Sequence, residues 1–160
     1  MESNDNIYKK QLDRARSLCS RQEKCIWDMQ NKFADWDVPD RHRPSILKTL
    51  IDEKYIDENR FARSFVREKF HSNKWGKLKI RQALKMKRIP ESVISQAMDE
   101  ISQGEYRDVL YALLTRKKNR IKAKNRFDLM GKLQKYAYGK GFESDLIQSV
   151  LNDVVKNPNR

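Results

Sequence analysis

Cysteine, glycine, proline and long apolar runs are all scarce in this chain, and each scarcity removes a class of protein. The only two cysteines, Cys19 and Cys25, stand six residues apart. They form no CxxC pair, and on one helix they would point in different directions. With no secretory leader visible either, a disulfide framework is not expected and a reducing cytoplasm is the expected home. Five glycines and four prolines leave little material for β-turns. No stretch sustains a period-two alternation, so strands are not expected. No apolar run approaches the ~20 residues a membrane-spanning helix needs.

The chemistry of a catalytic or metal centre is equally thin. His42 and His71 stand apart from cysteines and carboxylates at any metal-ligand spacing. Gly139-Lys140-Gly141 lacks the preceding strand and the third glycine of a dinucleotide loop, and reads as a helix stop. Asp52, Glu53, Asp57 and Glu58 crowd one helix junction, where capping and dipole compensation account for them. The sequence therefore assigns no catalytic residue, no cofactor site and no metal ligand, and an enzyme is not expected.

What the chain does contain is charge. Hydrophobic residues make up 38% and charged residues 36%, which suits shallow cores shared among short helical units better than one large core. The net charge of +13 is unevenly placed. Residues 60–90 carry +10 and residues 107–140 carry +9, while 1–59, 91–106 and 141–160 carry −1, −4 and −1. Two basic segments separated by an acidic one describe shaped surfaces and not diffuse solubility.

A repeat runs along the chain. Val38, Ile89 and Phe142 are each expected to close one helix, and apolar pairs then follow at i, i+1, i+4 and i+5. These pairs are Ile46-Leu47 with Leu50-Ile51, Val93-Ile94 with Ala97-Met98, and Leu146-Ile147 with Val150-Leu151. Nine residues before each closing position stand Met29, Ile80 and Leu133, with Phe33, Leu84 and Ala137 four residues later. A further amphipathic stretch precedes each. The pattern predicts an all-α chain of three three-helix repeats: 8–56, 57–104 and 105–156, with frayed termini at 1–6 and 157–160. Asp57 is the expected N-cap of a helix starting near Glu58, and Gly76 the expected break after it. Gln103-Gly104-Glu105 reads as the link between the second and third repeats.

The candidate functional residues are cations. Arg60, Arg63 and Arg67 recur at helical spacing, as do Lys77, Arg81 and Lys85, with Arg88 continuing the second row. Such rows neutralise phosphates or meet acidic protein surface, and composition does not separate the two. Trp75, beside Gly76 in a basic loop, is either a packing residue or an anchor at a partner surface. The run Arg116, Lys117, Lys118, Arg120, Lys122 and Lys124 reads as a helix end of lower specificity.

The residues Tyr55-Ile56-Asp57-Glu58-Asn59-Arg60-Phe61-Ala62-Arg63-Ser64-Phe65-Val66-Arg67 strongly resemble the signature of the RecX family of bacterial recombination regulators. Gly76, Ile80-Arg81-Gln82, Leu84 and Lys87-Arg88-Ile89 resemble the helix that follows it in that family. The likeness is strongest from Tyr55 to Met98. Lys54 departs from it, standing where the family commonly has glycine. So do the extra Asp40–Arg43 segment and the stretched connection inside the third repeat.

The resemblance implies an elongated, curved tandem array of three three-helix repeats without enzymatic activity. It implies binding to the RecA recombinase filament on single-stranded DNA, in the filament's groove, with inhibition of ATP hydrolysis and strand exchange. DNA recombination, repair and the SOS response are the implied setting. Single-stranded and also double-stranded DNA are expected partners, the protein being a monomer that uses no cofactor and no membrane. Arg60, Arg63, Arg67, Trp75, Lys77, Arg81, Lys85 and Arg88 are the residues expected to meet these partners, an assignment resting on charge and helical phase. A general basic helical nucleic-acid binder, independent of any recombinase, is the alternative; an adaptor for another acidic protein is a third.

Overall fold

The computed structural model describes residues 3–156, which form nine α-helices and no strand. In order these are α1 (Asn4–Arg21), α2 (Ile26–Asp35), α3 (Arg43–Asp52), α4 (Glu58–His71), α5 (Lys77–Met86), α6 (Glu91–Met98), α7 (Gln103–Lys118), α8 (Arg126–Gly139) and α9 (Ser144–Lys156). The helix starts are written locally. Ser3, Asp57, Ser102 and Asn125 each accept a backbone N–H three residues on, satisfying one orphan donor of the first turn. Two expectations shift. Asn4–Asn6 belong to α1 because the Ser3 hydroxyl caps them, so fraying does not reach Asn6. Gln103-Gly104-Glu105 is the capped first turn of α7, and the break precedes it. The remaining residues read as frayed, Met1, Glu2 and 157–160, lie outside the described part.

The helix ends explain why the repeat was readable. Asp37, Arg88 and Gly141 adopt left-handed backbone angles, with φ of 53°, 61° and 97°. The next residue in each case, Val38, Ile89 or Phe142, donates its N–H five residues back, to the carbonyl of Phe33, Leu84 or Ala137. This is the Schellman closure, in which an apolar residue just past the helix folds back onto the last turn. All six of these apolar residues are buried. Lys54 closes α3 the same way, with φ of 64° and Tyr55 bonding back to Leu50; Lys74 closes α4 with φ of 57° and a wider loop, Trp75 donating six residues back to Lys69. Glycine adopts this conformation without strain, so four of the five closures carry a small steric cost.

The helices fall into two compact units. The first contains α1–α3, the N-terminal half of α4, the end of α5, and α6; the second contains the rest of α4 and α5 with α7–α9. In the first, Leu12, Ala15, Cys19, Met29, Phe33, Val38, Ile46, Leu50 and Ile56 form one apolar cluster. There α3 packs on α1 and α2; in the second, α9 packs on α7 and α8. Tyr8 bonds Ser45 at 2.7 Å, and Arg16 binds Glu53 through two hydrogen bonds of 2.7 and 3.0 Å. Both pairs are separated by 37 residues, so α1 and α3 run in parallel with α2 returning between them. Cys19 and Cys25 are free and buried, and burial pushes both thiols up to about 11, which makes them inert at neutral pH. No described helix is long and apolar enough to cross a membrane.

Candidate functional site

The two cationic rows are not equally available. Arg60 is half-buried, and its guanidinium meets Glu23 at 2.7 and 2.9 Å while also donating to the carbonyls of Lys54 and Tyr55. The Glu23 hydrogen bond holds its pKa above the ordinary value. Arg60 therefore ties the start of α4 to the end of α1. Arg63 and Arg67 lie on the exposed side of α4, and Arg67 pairs with Glu100 at 3.3 Å. Phe61 is buried while Phe65 is half-buried, its ring 5.8 Å from that of Phe61.

On α5, Lys77 and Arg81 are half-buried and Lys85 is exposed, reaching Glu91 at 3.7 Å. Arg88 departs from the expected row. The helix ends at Met86 and Arg88 occupies the left-handed closing position, so helical phase does not carry it onto the face of Lys85. Trp75 is half-buried under two ammonium groups, Lys69 at 5.0 Å and Lys79 at 4.6 Å from its ring. Such contacts contribute roughly 0.5–1 kcal/mol each at exposed sites. They hold the indole against α4 and α5.

Within the second unit the start of α5 sits on the turn that closes α8. The Gly76 N–H donates to the Lys140 carbonyl at 2.7 Å, and the Leu78 N–H to the Gly141 carbonyl at 3.0 Å. A methyl group on Gly76 would lie 2.3 Å from the Gly141 carbonyl, so two backbones touch where no side chain fits. Tyr106 completes the contact. Its hydroxyl accepts the Lys77 N–H at 2.8 Å and donates to Glu143, while its ring stacks on Phe142 with centroids 5.1 Å apart. Burial, then the Glu143 bond, push its phenol pKa upward. Lys140 reaches the Asn73 carbonyl at 2.8 Å, and burial, reinforced by Lys79, lowers its pKa. Gly76 was legible as a helix break. The helix stop at Gly139-Lys140-Gly141 was legible too, but the meeting of Gly141 with Gly76 and the role of Tyr106 were not.

The third repeat carries a second basic site. Arg116 and Lys117 in the last turn of α7, with Arg120 just beyond it, line a cleft of about 170 Å³ with Leu113 of α7 and Tyr136 of α8. The Lys117 ammonium lies 4.8 Å from the Tyr136 ring. The acidic residues at the α3–α4 junction are all occupied structurally. Asp52 binds Lys48, Glu53 binds Arg16, Asp57 caps α4, and Glu58 accepts the Ile26 N–H. His42 is buried with its ring edge-on to Tyr8, and His71 lies 4.0 Å from Glu105. Among the described residues no group of three His, Cys, Asp or Glu side chains is placed to hold a metal ion.

These features define an all-α protein built from three-helix repeats with basic faces. Comparison with known proteins fixes the family. Residues 57–98 match the family model for the second three-helix domain of RecX, and residues 105–151 match that for its third. A regulatory protein RecX of Vibrio parahaemolyticus is 30% identical over 139 residues, covering 86% of this chain and 87% of that protein. One from Oceanobacillus iheyensis is 28% identical over 137 residues, and there the match covers 84% of this chain but 48% of the longer relative. The crystal structure of a regulatory protein RecX superposes with a TM-score of 0.83 at 25% identity, covering 91% of this chain and 73% of that one. The chain belongs to the RecX family.

Proposed function

We propose that this protein regulates the RecA recombinase, mainly as an inhibitor. It binds the RecA filament on single-stranded DNA, limits the filament's extension or stability, and lowers ATP hydrolysis and strand exchange. The observation that carries this reading is the match to the second and third three-helix domains of RecX, in a chain whose relatives are named regulatory proteins. Arg63, Arg67, Lys77, Arg81, Lys85 and Arg88 supply the cations, and Trp75 an aromatic contact. Arg60 positions α4 through Glu23. The setting is the bacterial cytoplasm, during recombination, DNA repair and the SOS response. The protein acts as a monomer and also has access to double-stranded DNA.

The test is RecA-catalysed ATP hydrolysis on excess single-stranded DNA, with this protein titrated onto preassembled filaments. Inhibition well below one molecule per recombinase is expected. Charge reversal at Arg63 and Arg81 weakens it while helicity is preserved. Simple salt-sensitive DNA binding with no effect on hydrolysis would replace this reading with that of a general nucleic-acid binder.

A further inference from the structure

The cations of this protein differ in what they already hold. Arg60 is bound by Glu23, Arg67 by Glu100, Lys85 by Glu91 and Lys87 by Asp28. A new anion at such a group must displace a carboxylate, or share the cation with one. Arg116, Lys117 and Arg120 present the opposite case. Among the described residues no carboxylate lies within ion-pair distance of any of the three. They converge on one cleft, and its lining includes no acidic side chain.

Helix chemistry explains part of this grouping. Cations in the last turn of α7 offset the negative end of the helix dipole. That account needs no cleft, and it does not reach Arg120, which lies beyond the helix C-cap Asn119. It also gives no reason for an aromatic wall. Tyr136 supplies one side of the cleft, with Lys117 over its ring. Convergent unpaired cations beside an aromatic face are what a single strand needs: charge for the backbone and a flat surface for a base. The volume of about 170 Å³ suits one phosphate and its sugar, not a large ligand.

We propose that the cleft formed by Arg116, Lys117, Arg120 and Tyr136 is a phosphodiester-binding site that holds a single strand of nucleic acid against the third repeat. The choice of ligand rests on the reading of the protein as a regulator of a DNA-bearing filament. Its test requires no recombinase, so the two fail separately. In this assignment the third repeat grips the strand, while the paired rows of the middle helices serve another surface.

The measurement is fluorescence anisotropy of a labelled oligothymidylate with the full chain, repeated across a salt series. The triple variant Arg116→Gln/Lys117→Gln/Arg120→Gln is compared with a charge-matched control on exposed α1 residues, Lys9→Gln/Lys10→Gln/Arg21→Gln. Thermal melting confirms that both fold. Loss of three phosphate contacts lowers the salt slope by about 2, given roughly 0.7 per contact on single strands. The cleft variant is expected to show that drop and at least tenfold weaker binding, with the control losing less than threefold. Tyr136→Leu is expected to cost about tenfold with the slope unchanged, as stacking would. Equal losses in both triple variants would overturn the site in favour of diffuse charge. Full binding by the cleft variant would overturn it outright. Competition by millimolar inorganic phosphate as effective as by unlabelled strand, phosphate for phosphate, would reduce the cleft to a small-anion site and also overturn the proposal.

Discussion

Two junctions in this protein have the same plan and opposite chemistry. In the first unit, the start of α2 meets the start of α4 and the closing turn of α5. In the second, the start of α5 meets the start of α7 and the closing turn of α8. Each time a side chain from the second of these helix starts, α4 or α7, caps the first N–H of the helix: Glu58 accepts from Ile26 at 3.3 Å, and Tyr106 accepts from Lys77 at 2.8 Å. Each time a lysine of the closing turn crosses over, Lys87 to Asp28 at 2.6 Å and Lys140 to the Asn73 carbonyl at 2.8 Å. In the first junction ion pairs dominate, Arg60 with Glu23 adding to Lys87 with Asp28. In the second, two glycine backbones touch beside a stacked aromatic pair. One geometry is thus reached by charge in one place and by close packing in the other. The packed version should tolerate salt and resist substitution less.

The largest effect is expected at the packed junction. Gly76→Ala places a methyl against immovable backbone and should cost roughly 2–3 kcal/mol in a urea titration. Cys25→Ala, at the equivalent point of the charged junction, should cost about 1 kcal/mol, because it removes a buried sulfur without any clash. If the two losses are equal, the contrast between the junctions is wrong. Tyr106→Phe comes next, at about 1.5 kcal/mol, since it leaves the Lys77 N–H without its acceptor and Glu143 without its donor. Its effect should survive 0.5 M salt, whereas the contribution of the Arg60–Glu23 pair should shrink.

Lys54→Gly works in the other direction. It relieves a left-handed lysine at the closure of α3 and should stabilise by up to about 1 kcal/mol, read as a higher melting temperature. A loss would mean that the lysine side chain holds a contact worth more than the strain.

The smallest effect concerns pH at the charged junction. Burial raises the pKa of Glu58 against the pull of the Ile26 N–H, with Asp28 adding to the rise. A carboxyl raised in the fold contributes stability that is present below its unfolded pKa and lost as pH rises through the folded one. Glu58→Gln should therefore be slightly more stable than the parent at pH 7, with the gap closing as pH falls below the ordinary glutamate range. Parallel urea midpoints at pH 7 and pH 4 check this. A gap that widens on acidification would show that the charged carboxylate is the favoured cap.

Much of the fold was legible because its signals are local. The nine-residue offset between Met29 and Val38, Ile80 and Ile89, and Leu133 and Phe142 reflects a core residue one side of a helix end and a Schellman closure on the other. Both are set by neighbours within a few turns. Asp57 announced α4 for the same reason. Arg88 misled because a row of cations at helical spacing does not show where the helix stops, and its φ of 61° lies outside the helix altogether. The candidate surface was legible only as charge. Arg60 and Glu23 are 37 residues apart, and nothing in the spacing of Arg60, Arg63 and Arg67 shows that the first is held inward while the others face out.

By itself the sequence determined the helices, their caps and closures, and the two segments where positive charge accumulates, since each depends on residues close in the chain. Only the tertiary structure decided which cations keep a carboxylate partner and which do not. It alone set Gly76 against Gly141, 65 residues later, because an approach too close for even a methyl group depends on how helices pack and on no periodicity within either.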